Sequence, residues 1–128
     1  MRLYLQSLRR LHSEQTWRAI YPGHGPPIAA AQHAIAEYIS HREAREAQIV
    51  SHLAQRSHSA GGITASELVA DLYRDRVLSW ELRQAATETV HNHLLFLKEK
   101  GQVHCNVGGA GWSSGAAVGL GARWMRAH

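Results

Sequence analysis

Apolar positions recur at helical spacing over most of the chain. Tyr4, Leu8 and Leu11 stand at i, i+4 and i+7 with Leu5 beside them, and Arg2, Gln6, Arg9 and Arg10 fill the opposite face. That pattern predicts an amphipathic helix starting almost at Met1. Trp17 to Tyr21 (WRAIY) reads as a short strand, stopped by Pro22 and Gly23. The following PGHGPP, with three prolines and two glycines, can be neither helix nor sheet interior and predicts a rigid loop.

From about Ile28 to Arg56 the chain contains no Gly or Pro. Ile28, Ile35 and Ile39 mark one apolar face, and Ile49, Val50 and Leu53 mark another beyond the polar stretch SHREAREAQ. One long helix, or two nearly continuous ones, would join two packing units, with HSAGG (58–62) ending it. Thr64-Ala65-Ser66-Glu67 is a capping box that opens a helix through Tyr73, burying Leu68, Val69 and Leu72. A further helix is expected from Trp80 to Lys100, with Leu82, Ala86, Val90, Leu94 and Leu97 as its apolar stripe and Gly101 as its stop.

Gln102 to Val107 alternates polar and apolar, as a half-buried strand does, and puts Cys105 on the apolar side with Val103 and Val107. Gly108-Gly109 can turn the chain so that Trp112 lies on a returning strand. The Gly/Ala-rich remainder to His128 is expected to be a poorly ordered tail. The fold class is therefore mostly α with a small β component. From Ile49 onward the order of elements is that of a winged helix, a helix-turn-helix followed by a β-hairpin.

Composition changes this picture little. A content of 45% hydrophobic and 19% charged residues is that of a globular protein. The single cysteine, Cys105, excludes an intrachain disulfide and fits a reducing compartment. A formal charge of +4 is too small to imply a polyanionic partner, and no apolar run approaches the roughly 20 residues that span a bilayer, so no membrane partner is expected. The N-terminus lacks a secretory signal. Its basic amphipathic look suits a mitochondrial leader or an ordinary surface helix, so the expected location is the mitochondrial matrix or cytoplasm.

His24 is the foremost candidate for chemistry. It follows a strand, lies between Gly23 and Gly25, and is stiffened by Pro22, Pro26 and Pro27. A neutral imidazole held in that way can bind Zn²⁺, although PGHG alone also fits a turn histidine bonded to local backbone. His33, His41 and His52 are too widely spaced on the long helix to share a metal. His91 and His93 form an H-x-H inside a helix, where i and i+2 side chains diverge. Cys105 has no acid–base partner nearby in sequence and reads as an inert buried thiol. GAAVGLGAR lacks the preceding strand and the spacing of a phosphate loop.

YPGHGPPI followed by AIAEYISHREAREAQI, then TASELV and VHNHLLFLKEKGQV, closely resembles the metallo-β-lactamase-fold hydrolases of the beta-lactamase-like protein 2 type, over about residues 3 to 107. The resemblance implies a C-terminal fragment of that family. Residues 1–42 would be the helix-strand remnant of its αββα sandwich, 43–107 its winged-helix domain, and 108–128 a Gly/Ala-rich tail. By the same resemblance His24 is a ligand to the second of two zinc ions, and His41 with Arg42 braces the helix against the active-site loop. The H-x-H-x-D-H motif of the family is absent: Leu95 and Phe96 stand where Asp-His would complete His91-Asn92-His93. No catalytic residue is therefore assigned within this sequence.

For the complete enzyme the resemblance implies an endoribonuclease on single-stranded RNA or a hydroxyacyl-thioester hydrolase, and this chain by itself is expected to be inactive. The alternative reading is a winged-helix module contacting nucleic acid or protein, although Glu81, Glu88 and Glu99 balance Arg83, Lys98 and Lys100 on its last helix. Expected partners are single-stranded RNA, the missing N-terminal β-lactamase-fold region and a second copy of the chain. Without that region to pack on, the N-terminal helix and WRAIY are expected to be loose, leaving Leu5, Leu8, Trp17 and Ile20 exposed.

Overall fold

Four helices and one small sheet make up the computed structural model, which describes residues 2–14, 17–56, 61–106 and 119–127. The helices are α1 (Arg2–Glu14), α2 (Ala31–Gln55), α3 (Ala65–Leu72) and α4 (Trp80–Glu99). The strands β1 (Val103–Asn106) and β2 (Arg123–Arg126) pair antiparallel, with Cys105 opposite Trp124. The fold is mostly α with a small β component, as the apolar periodicities indicate. Among the described residues no helix is long and apolar enough to cross a membrane.

The chain divides into two compact units, Met1–Arg45 and Glu46–His128, with the boundary inside α2. In the first, α1 is tied to α2. Tyr4 meets Tyr38 edge-on with ring centroids 5.7 Å apart, and the Arg9 guanidinium donates to Glu43 at 2.8 Å. Leu5 is fully buried, contrary to expectation, and Leu8 and Ile20 are half-buried, whereas Trp17 is exposed as expected. The sequence alone hides these contacts, because Tyr38 and Glu43 lie more than thirty residues away in the chain. The expected strand at WRAIY is reduced to a single antiparallel bridge between Ile20 and Ile28.

The second unit has its own core. Ile49 and Leu53 of α2, Leu68 and Val69 of α3, Val90, Leu94 and Leu97 of α4, Val103 of β1 and Trp124 of β2 are all buried together. Burial of this many large aliphatic side chains, at about 1.5–3 kcal/mol each relative to exposure, is the main force closing the unit. The sequence signals for α3 hold in detail. Thr64 caps the helix by accepting from the Glu67 N–H at 3.2 Å, and the Glu67 carboxylate accepts from the Thr64 N–H at 2.8 Å. That backbone hydrogen bond holds the Glu67 carboxyl below the usual glutamate range, with the charge of Arg123 adding to it. Ser79 caps α4 in the same sense, and Gly101, at φ +70°, follows its end.

Three expectations need correction. The end of the supposed tail forms β2, and Trp124, in its middle, is fully buried. Burial of so large an aromatic ring outweighs the Gly/Ala-rich composition in front of it. The returning strand is thus Arg123–Arg126; Trp112, Val107 and most of HSAGG lie outside the described residues. Leu82 does not join the apolar stripe of α4, being 59% exposed, because the first turn of that helix projects beyond the core.

Ile63 adds an isolated antiparallel bridge to β2. Ile63 exchanges both backbone hydrogen bonds with Trp124, and the Arg123 guanidinium donates to the carbonyls of Gly61 and Gly62. Gly62 is at φ +64°, and a Cβ there would lie 3.0 Å from the Trp124 carbonyl oxygen. Only glycine fits this approach without strain.

Candidate functional site

The loop carrying His24 is closed at its base. Ile20 and Ile28 donate to each other's carbonyls, both at 2.9 Å, so the intervening residues form a loop with joined ends. Pro22, Pro26 and Pro27 fix φ along the loop and withhold N–H donors, which prevents it from zipping into a longer hairpin. Gly25, at φ +96°, supplies the reversal that an L side chain would resist.

His24 is exposed in this loop, and among the described residues its imidazole has no hydrogen-bond partner. An exposed imidazole of this kind has one nitrogen to offer to an external ligand.

The other candidate histidines lie on α2 and α4. His33 lies 3.5 Å from Glu37 one turn along α2, an exposed pair, and His41 is also exposed. His91 and His93 are both buried in α4, and His91 meets the Trp124 ring edge-on at 5.9 Å. Sequence reasoning placed these two on diverging faces of the helix and missed that both are buried. Among the described residues no group of three His, Cys, Asp or Glu side chains could hold a metal ion. A zinc site takes three or four protein ligands, so these residues do not fit a complete site; His24 could offer one donor.

A second concavity lies wholly within the second unit. It has a volume of about 380 Å³ and is lined by Ser66, Trp80, Arg83, Gln84, Thr87, Glu88 and Leu120. Trp80 is 66% exposed there. Sequence reasoning assigned this surface nothing; the signal available was a Trp at the first position of a helix, ahead of the apolar stripe.

Two curated proteins are similar to this sequence. A beta-lactamase-like protein 2 homolog of Caenorhabditis elegans is 34% identical over 87 residues, which is 68% of this chain and 27% of that protein. The Drosophila melanogaster homolog is 32% identical over 100 residues, 78% of this chain and 32% of its own length. The chain resembles a fragment of beta-lactamase-like protein 2. It spans about a third or less of the curated relatives that it matches. Solved structures agree on the fold. A beta-lactamase domain protein from Burkholderia ambifaria superposes with a TM-score of 0.71 at 24% identity, covering 98% of this chain and 33% of that one. A metallo-β-lactamase family protein from Thermus thermophilus gives 0.61 at 28% identity, covering 96% and 32%. No family model matches the chain. Its helices and small sheet are thus those of a partial metallo-β-lactamase-fold protein.

Proposed function

We propose that this chain is the C-terminal part of a zinc-dependent hydrolase of the metallo-β-lactamase superfamily, in which His24 gives one imidazole to the second of two zinc ions. The observation that carries this is the proline-rich loop closed by the Ile20–Ile28 bridge, which presents His24 exposed between two glycines. The likeness to beta-lactamase-like protein 2 homologs supports it. The remaining donors would come from the part of those relatives that this chain does not span. No step of hydrolysis follows from the residues described; the chain's own contribution is a positioned ligand and a second folded unit, read here as a winged helix.

The complete enzyme is read as an endoribonuclease on single-stranded RNA, and the present chain as inactive. When the missing region is joined to this chain, the protein should cleave single-stranded RNA, and His24→Ala should remove most of that activity while leaving the fold intact. Equal cleavage by the His24→Ala protein would overturn the ligand assignment. Cleavage of hydroxyacyl thioesters, with RNA untouched, would replace the substrate class.

A further inference from the structure

We propose that the cavity at the start of α4 takes one unpaired, amino-bearing nucleobase of a single-stranded polynucleotide, with Trp80 as the stacking platform; the choice of polymer rests on the RNA reading above. Trp80 is an aromatic ring left 66% exposed at the head of a helix, where it contributes little to the core. A flat exposed indole beside a cavity of about 380 Å³ offers a face on which any base can stack.

The cavity surface is mostly apolar, as a stacked base needs, and the polar groups along it favour a nucleotide over a purely apolar ligand. Arg83 and Gln84 lie one turn on from Trp80, and Glu88 lies one turn beyond them, so all four line the same cavity. Arg83 lines the cavity, where its guanidinium can pair with a phosphate. The Thr87 hydroxyl donates to the Arg83 carbonyl at 2.8 Å, which leaves Ser66, Gln84 and Glu88 to meet a base edge. A carboxylate only accepts, and it therefore selects bases with an exocyclic amino group. Cytosine and uracil differ at that edge by an amino group against a carbonyl, so the site should prefer cytosine.

The test is titration of the full 128-residue chain with dodecacytidylate and dodecauridylate RNA at low salt, read by anisotropy of labelled RNA. The cytidylate should bind several-fold tighter than the uridylate, and Glu88→Ala should abolish that difference. Trp80→Ala should weaken cytidylate binding at least about tenfold, the loss expected for one stacked base. Arg83→Ala should weaken it and flatten the salt dependence by about 0.7 in log–log slope, one phosphate contact. Leu82→Ala, also exposed but outside the cavity, should bind as the parent does. An unchanged melting temperature for Trp80→Ala keeps the comparison valid, since that side chain lies outside the core; Arg83→Ala gives a second, independent reading. Undetectable cytidylate binding, or equal binding by Trp80→Ala and the parent, overturns the proposal. Its failure is separable from that of the functional reading: RNA cleavage by the completed enzyme that depends on His24 but not on Trp80 would retain the latter alone.

Discussion

Ile63 and Trp124 exchange both backbone hydrogen bonds, at 3.0 and 2.8 Å, although 107–118 and two helices intervene between their segments in the chain. This pairing joins the last strand to the segment that leads into α3, so the end of the chain is part of the second unit's core. Trp124→Ala should therefore cost about 3–5 kcal/mol, as removal of a fully buried aromatic does. Urea denaturation followed by far-ultraviolet circular dichroism measures it. Deleting residues 119–128 should be at least as damaging, and unchanged stability in that deletion would contradict the account.

Gly62→Ala should destabilise the second unit by about 1–3 kcal/mol, because it combines a φ of +64° with a Cβ 3.0 Å from the Trp124 carbonyl oxygen and 3.1 Å from Met125. Gly23→Ala is the control. No atom lies within 4 Å of a Cβ there, and its φ is not positive, so the melting temperature should not move.

Much of this was readable in advance, and the reasons differ by element. The Thr64–Glu67 capping box and the apolar stripe of Val90, Leu94 and Leu97 are local signals that need no knowledge of the rest of the fold. The second strand is a non-local feature. Arg123-Trp124-Met125-Arg126 does alternate, but four residues are too few to outweigh a long Gly/Ala-rich approach, and its partners lie far away in sequence. WRAIY shows the opposite failure, since strand-like composition yields only the Ile20–Ile28 bridge when the return segment contains Pro26 and Pro27. The His24 loop was visible as a motif; its closure and the freedom of the imidazole were not. The cavity beside Trp80 was invisible, because exposure of an aromatic ring depends on where the core ends.

Glu46 is buried and receives the Lys100 ammonium at 2.9 Å on one oxygen, while its other oxygen has no partner among the described residues. Removing Lys100 strands a buried carboxylate, whereas removing Glu46 frees a lysine that already reaches water. Lys100→Met should therefore cost more than Glu46→Leu. Since Lys100 is 41% exposed on its side chain, the difference is about 1 kcal/mol, read from paired denaturation midpoints.

Glu67 makes a further pH-dependent contribution. Its carboxyl is lowered in the folded state, chiefly by the Thr64 N–H, so the unfolded chain takes up the proton first. The resulting stability is complete above about pH 4.3, the ordinary glutamate value, and is lost as pH falls through the lower native value. Glu67→Gln keeps the capping shape without the charge. It should lower stability at pH 7 by about 0.5 kcal/mol, given its half-exposed side chain, and the gap to the parent should narrow below about pH 4. A gap that widened on acidification would reverse the sign and refute the assignment.

The central claim is that His24 is one ligand of a metal pair completed by a region outside this sequence, and metal content measures it most directly. The protein carrying that region should retain two zinc ions after dialysis, and its His24→Ala variant about one, with RNA cleavage falling by at least about 100-fold. The present chain should bind zinc only weakly, with or without His24. Two tightly held zinc ions and undiminished cleavage in the His24→Ala variant would contradict the account.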